Sequence, residues 1–308
     1  MVPKAIEKIS PAEARLRPPI ADAVDKVLRD AGSTDPITRV PGVSSRDIAI
    51  AGPAATLPAT VHTPAGKGPF PVITCFHGGG WVIADREVYD AVARGLAKQA
   101  HAAVVSVGYR RAPEVKFPAA WNDAFAAYAW AAAHARQLNG DPTKLALAGE
   151  SAGGNLAVAT AVAARDAHAT MPVHVLAVYP VAQTGSTHTA SSIGNAVAKP
   201  LNKPTIAWFL DKLLDSPNAK QDTRLDLVHA NLAGLPPVTI VNASIDPLRD
   251  DGDMLQKAIA DAGGSVDRRL YKGLTHEFLG TAAVVQKARD AQQYAGERLK
   301  QSFWTAGQ

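Results

Sequence analysis

The sequence has a single cysteine, Cys75, in 308 residues. One thiol closes no internal disulfide and builds no thiolate cluster for a metal, so the fold has to be held by burial, and nothing in it demands an oxidising compartment. An excess of either charge is also missing. There are 32 Lys and Arg against 28 Asp and Glu, a formal net charge of +4, and the longest basic runs are the pairs Arg110-Arg111 and Arg268-Arg269. A nucleic-acid-binding face, which concentrates cations with aromatics between them, is therefore not expected. No apolar run reaches the roughly 18 residues of a membrane span. The opening residues MVPKAIEKISPAEARLRPPI put proline and charge where a secretory signal needs an apolar stretch, so the expected location is the cytoplasm. Internal repeats and low-complexity tracts are absent as well. With 47% hydrophobic and 19% charged residues, the composition is that of a globular protein with a large core and excludes disorder, collagen and coiled coil. The length suits one large α/β domain.

What the sequence does contain is a series of short apolar, β-branched runs bounded by Gly, Pro or Asp, at 72–76, 102–109, 144–148, 173–179 and 238–245. Such runs predict strands covered on both faces, because a strand buried on two sides loses its polar alternation. Between them, helical composition and spacing occupy 87–100, 119–138, 155–168, 253–262 and 283–303. Strand and helix alternating in this way predict a mostly parallel sheet with right-handed crossovers and helices on both faces. Two further strands are expected at 46–50 and 59–62, joined through Gly52-Pro53, and a last one at 266–271. Residues 1–44 and 183–225 do not fit the alternation. The first stretch is Pro-interrupted and helical, with Val24 and Leu28 set against Asp25, Lys26 and Arg29; the second carries a polar loop and then an apolar helix around Trp208, Phe209 and Leu210. Both are expected to form a helical lid over a catalytic domain of residues 45–182 and 226–308.

The strand at 144–148 runs directly into Gly149-Glu150-Ser151-Ala152-Gly153 and then into an Ala-rich helix. In that setting the Gly-x-Ser-x-Gly string predicts a nucleophile on a sharp strand-to-helix turn. Glycines two residues to either side let strand and helix approach, and the free N–H groups of the helix start lie where an oxyanion would form. The competing readings are a phosphate-cradling loop or a simple turn. A P-loop would need Gly-Lys-Ser/Thr and a dinucleotide fingerprint Gly-x-Gly-x-x-Gly, and neither is present. Upstream, the strand at 72–76 ends in His77-Gly78-Gly79-Gly80-Trp81. Three successive glycines leave the backbone free to aim N–H groups at a ligand, as acyl transfer requires.

These two motifs, with Tyr109-Arg-Arg-Ala-Pro-Glu114, Phe117-Pro-Ala-Ala120, Asp246-Pro-Leu-Arg-Asp250 and Tyr271 followed by His276-Glu-Phe278, resemble the hormone-sensitive-lipase family of α/β-hydrolases, the bacterial family IV carboxylesterases. The resemblance runs over about residues 45–300, with the motifs in the family's order. It implies an α/β-hydrolase fold and a serine esterase that needs no cofactor and no metal. Of the nine histidines, it points to His276, in the loop before the last helix, as the base. A zinc-binding His-Glu-x-x-His is absent, since Gly280 stands four residues after His276.

A serine hydroxyl needs an imidazole to take its proton and return it to the leaving group, and the imidazole needs a buried carboxylate to hold its tautomer. Asp246 ends the strand at 238–245 and should emerge at the carboxyl edge of the sheet. Asp250, Asp251 and Asp253 are read as capping and dipole partners of the following helix. The family implies the backbone N–H groups of Gly79, Gly80 and Ala152 as the oxyanion hole and gives His77 a loop-shaping role. Glu150, where the family more commonly has Asp, and Glu277, where it more usually has Gly, are departures from its pattern. Trp81, Trp208 and Phe209 are the expected substrate-binding residues of a hydrophobic pocket, ordinary core packing being the other reading. The expected partner is a small-molecule ester with short to medium acyl chains, with no nucleic acid and no membrane; a homodimer is left open as the assembly. An amidase or acyltransferase on the same serine, or a small-molecule-binding protein of the same fold, remain alternatives. Plant gibberellin receptors resemble this family but lack the catalytic histidine, which is present here.

Overall fold

Eight strands form one sheet in the computed structural model, which describes residues 4–36, 40–185 and 188–305. Positions 1–3 and 37–39 of the first expected lid stretch, and 186–187 of the second, lie outside the described residues. In chain order the strands are β1 (Val43–Ala51), β2 (Thr56–Pro64), β3 (Phe70–Phe76), β4 (Ala103–Val107), β5 (Gly140–Glu150), β6 (His174–Val178), β7 (Val238–Ile245) and β8 (Val266–Thr275). They lie side by side as β1-β2-β4-β3-β5-β6-β7-β8. The β1/β2 and β2/β4 pairs are antiparallel, and from β4 to β8 every pair is parallel.

The period-two alternation of a strand sends successive side chains to opposite faces, and here both faces are dry. Val72, Leu145, Leu147, Val175 and Ala177 pack into one core, while Ile73, Ala146, Ala148, Leu176 and Val178 pack into the other. The helices are α1 (Pro11–Arg15), α2 (Ile20–Asp30), α3 (Asp90–Ala100), α4 (Ala119–His134), α5 (Ala152–Asp166), α6 (Ala190–Gly194), α7 (Lys203–Leu213), α8 (Arg249–Asp261) and α9 (Gln286–Thr305). Helices α4, α5 and α8 cover the first face, and α3 and α9 the second. Among the described residues no helix is long and apolar enough to cross a membrane.

Element ends differ from the sequence pattern where pairing or capping overrides composition. β5 begins at Gly140 rather than Lys144, because Gly140 pairs with Phe70 ahead of a bulge. The helix expected over 119–138 is α-helical only to His134, then tightens to a 3-10 turn that closes on Asn139 at φ 55. α5 and α8 begin three and four residues before their expected starts, at Ala152 and Arg249, since each helix starts directly at the turn that ends its strand.

The short α1 is stabilised at its start by a capping box, with the Ser10 hydroxyl accepting from the Glu13 N–H and the Glu13 carboxylate accepting from the Ser10 N–H. A helix of one turn does not persist by itself. Arg15 anchors it by donating to the Val82 and Ala112 carbonyls at 2.8 and 2.7 Å and gripping the Glu114 carboxylate with both Nη atoms. The Tyr109–Glu114 motif thereby ties the N-terminal stretch to the glycine loop. Its Arg110 holds the buried Asp123 of α4 in a two-point pair.

Candidate active site

Ser151 directly follows β5 and stands at the N-cap of α5 with φ 55 and ψ −116, a conformation L-residues rarely adopt. Backbone bonds on both sides fix it there. Its N–H donates to the Val178 carbonyl at 2.8 Å, and its own carbonyl accepts from the N–H groups of Asn155 and Val181 at 3.2 Å. The flanking glycines are a steric requirement: a Cβ on Gly149 would lie 2.0 Å from the Gly153 carbonyl oxygen, and one on Gly153 would lie 2.0 Å from that of Phe76. The result lifts the serine side chain from the sheet edge at the N-terminus of α5.

The three residues expected to act together lie in one hydrogen-bonded line. His276 Nε2 is 2.9 Å from Ser151 Oγ, and His276 Nδ1 is 2.7 Å from Asp246 Oδ2. A carboxylate only accepts, so Nδ1 carries the proton and Nε2 is left to accept from the serine. Asp246 is fully buried, and its other oxygen accepts from the Leu248 N–H at 2.8 Å, which fixes which oxygen faces the histidine. Burial opposes a charge on the His276 ring, but the Asp246 carboxylate, with Glu277 and Glu150 adding to it, outweighs burial and raises its pKa above the ordinary imidazole value.

The glycine loop crosses in front of Ser151 with Gly79 at φ 96 and Gly80 at φ 59. A Cβ on Gly79 would strike the Ile83 carbonyl at 2.2 Å, and one on Gly80 the Phe209 ring at 2.2 Å. The Gly79 carbonyl is occupied by the N–H groups of Val82 and Ile83, whereas the N–H groups of Gly79 and Gly80 donate to no atom of the described residues. His77 shapes this loop. Its Nδ1 donates to the Gly78 carbonyl at 2.8 Å, its ring stacks on Tyr109 with centroids 4.1 Å apart, and the Tyr109 hydroxyl donates back to the His77 carbonyl. Burial lowers the His77 pKa to about 4, so the ring is neutral near pH 7.

Two cavities meet at Ser151. The larger, about 660 Å³, extends past Gly79, His276 and Tyr89 to α2, whose Ile20, Ala21 and Lys26 form part of its wall. The smaller, about 280 Å³, lies between Trp81, Val181, Ile206, Leu210 and Asp251. Phe209 lines both and Trp81 the smaller one. Trp208 lines neither; it is buried with its ring edge-on to Phe209 at 5.5 Å. No group of three or more His, Cys, Asp or Glu side chains is placed to hold a metal ion among the described residues.

Of the acids read as capping and dipole partners of α8, Asp250 and Asp251 do stand in its first turn, where a negative charge suits the dipole, but the capping half of the reading fails. None of them makes a side-chain cap bond at the N-cap, Leu248. Asp251 is buried and accepts from the N–H groups of Ala182 and Gln183 at 3.0 and 3.3 Å, tying the chain after β6 to α8; burial pushes its carboxyl up to about 7 against those bonds. Asp250 accepts from the Ser191 N–H at 2.7 Å, and Asp253 pairs with Arg268 at 2.6 Å. Asp250 also pairs with the adjacent Arg249, but the partners on other elements are 15 to 69 residues away in sequence, a separation at which local spacing carries no signal.

A serine on a strained strand-to-helix turn, joined through a histidine to a buried aspartate at the carboxyl edge of a parallel sheet, defines a serine hydrolase of α/β architecture. Residues 73–280 match the family model described as alpha/beta hydrolase fold. The chain belongs to that family, in the hormone-sensitive-lipase-like branch its motifs resemble. Similar curated proteins include the carboxylic ester hydrolase LipN of Mycobacterium tuberculosis, 40% identical over 77% of this chain and 65% of that protein. The arylesterase of Saccharolobus solfataricus is 31% identical over 92% of this chain and 90% of that protein. Among solved structures, an esterase of Pyrobaculum calidifontis superposes with a TM-score of 0.88 at 29% identity, covering 97% of this chain and 95% of the other.

Proposed function

We propose that the protein is a serine carboxylesterase that hydrolyses short to medium acyl-chain esters through an acyl-enzyme. Ser151 Oγ attacks the ester carbonyl as His276 Nε2 takes its proton, and Asp246 holds the imidazole and balances the charge it acquires. The carbonyl oxygen, now negative, is held by the N–H groups of Gly79, Gly80 and Ala152 at the positive end of α5. As the intermediate collapses, His276 returns the proton to the departing alcohol. A water molecule then repeats the cycle on the acyl-serine, with His276 again as base and then acid.

The observation that carries this reading is the hydrogen-bonded line from Asp246 through His276 to Ser151, placed where two cavities meet. Two cavities at one nucleophile suit a substrate with two halves. The smaller, closed by Trp81, Phe209 and Leu210, fits a short acyl chain; the larger takes the alcohol. The N-terminal helices wall the larger cavity and the 183–225 segment supplies walls to both, and in this reading they form the lid.

A p-nitrophenyl ester series from acetate to palmitate tests the proposal. The expected kcat/KM is highest on the acetate-to-octanoate members and falls at least about tenfold by palmitate, since each methylene that cannot be seated forfeits burial worth about 0.8 kcal/mol. Equal rates on palmitate and butyrate would contradict the assignment of the smaller cavity. Transfer of the acyl group to an added amine or alcohol, with little free acid formed, would favour an acyltransferase.

A further inference from the structure

Glu150 and Glu277, the two departures from the family pattern, stand next in the chain to Ser151 and His276 and line the same large cavity. Neither has a part in the proton path described above. Glu150 is 4% exposed and accepts a hydrogen bond from the Tyr179 hydroxyl, while the Tyr179 ring lies against His276 with centroids 4.6 Å apart. Glu277 accepts a long hydrogen bond from the Tyr89 hydroxyl at 3.5 Å. That hydroxyl is wedged against Gly78, where a Cβ would lie 2.4 Å from it. Glu277 itself has φ 63, a left-handed conformation that glycine takes without strain and a glutamate does not. An ionisable side chain kept at a strained position beside the base is a cost to folding, and such strain concentrates where it serves a site.

We propose that Glu150 and Glu277, each with its tyrosine, are positioning residues that hold the His276 ring in line with Ser151 and make it a stronger base. The inference rests on the reading of His276 as that base. The titratable groups facing the ring are Asp246 from the end of β7, Glu150 from the end of β5, Glu277 beside it and Tyr179 after β6; Tyr89 before α3 reaches Glu277, and Cys75 of β3 lies behind Glu150. Burial pushes the Glu150 carboxyl up to about 7, against the Tyr179 hydrogen bond and with the Glu277 charge adding to the shift. Burial also raises Glu277, against the pull of His276 and Tyr89. The two acids therefore titrate as a coupled set with the imidazole, and removing one lets the other ionise more fully.

A protonated His276 cannot accept the serine proton, so kcat/KM falls below the His276 pKa. Negative neighbours raise that pKa, and neutralising them moves the acid limb of the profile to lower pH. The test measures kcat/KM against pH, together with the His276 imidazole titration by NMR, in the wild type, Glu150→Gln, Glu277→Gln, Glu277→Gly, Glu277→Asp and the Glu150→Gln/Glu277→Gln double variant. Each neutral single variant is expected to lower the limb and the NMR pKa by about 0.5 unit. The double variant should shift them by more than the two singles together, and Glu277→Asp should move them back towards the wild type. Glu277→Gly suits the backbone at φ 63, so a folded protein lacking the carboxyl is available. Profiles and NMR titrations that coincide with the wild type in all neutral variants, even with kcat reduced, would overturn the proposal and leave the two acids a structural role. The NMR titration reads His276 without turnover, so a wild type inactive on every ester would count against ester hydrolysis while the titration still decides this inference.

Discussion

Replacing Ser151 by alanine is expected to lower kcat on a short p-nitrophenyl ester by about 10⁴- to 10⁶-fold, equivalent to about 5 to 8 kcal/mol of barrier. The substitution removes one oxygen and leaves the rest of the site standing. The turn is held by backbone bonds to Val178, Asn155 and Val181, and alanine carries the same Cβ, so folding and substrate affinity should change little. Activity that remains would come from water attacking a carbonyl polarised by the Gly79, Gly80 and Ala152 N–H groups, the residual seen when a serine hydrolase loses its nucleophile but keeps its oxyanion donors. Thermal unfolding measured beside the kinetics separates this from misfolding. A rate within about tenfold of the wild type would take Ser151 out of the mechanism.

Asp246→Asn is expected to cost about 10³- to 10⁴-fold in kcat near neutral pH, although it changes neither size nor shape. The reason lies in the Leu248 N–H, which needs an acceptor at one side-chain position of residue 246 and receives it from Oδ1. An asparagine satisfying that donor with its oxygen turns its NH2 towards His276 Nδ1. The imidazole must then accept at Nδ1 and carry its proton on Nε2, facing Ser151 with a donor where an acceptor is needed. The measurement is kcat of the folded variant at pH 7, with the imidazole tautomer read by NMR. An unchanged tautomer with kcat near the wild type would show that Asp246 does not orient the ring.

Both substitutions probe residues that the sequence exposes through local chemistry. The Gly149–Gly153 turn is legible because its geometry is dictated within five residues and framed by a strand and a helix, and the sheet because buried parallel strands read as short apolar runs. The antiparallel pairing of β1 and β2 follows from the Gly52-Pro53 turn. Other features depend on contacts between distant residues. The Arg15–Glu114 clamp joins positions 99 apart, and the Tyr89–Glu277 contact positions 188 apart. The helix around Trp208 and Phe209 shows a further limit. Neighbouring residues of an α-helix point about 100° apart, so composition marks the helix as apolar without deciding which ring meets the cavity; Phe209 does, and Trp208 packs behind it. The long-range partners of the α8 acids are hidden for a related reason, since an aspartate in a first helical turn satisfies the capping pattern whether or not its carboxylate reaches another element.

In the proposed mechanism the Ser151 hydroxyl is already activated in the resting fold, by the hydrogen bond to His276. Intact-mass analysis after treatment with a fluorophosphonate, followed by peptide mapping, tests it most directly, because such probes phosphonylate serines whose proton is already shared with a base. A single adduct is expected on the peptide carrying Ser151, formed in the folded protein and slowed by orders of magnitude in His276→Ala. A folded protein that takes up no label, or takes it up on a different serine, would contradict that mechanism.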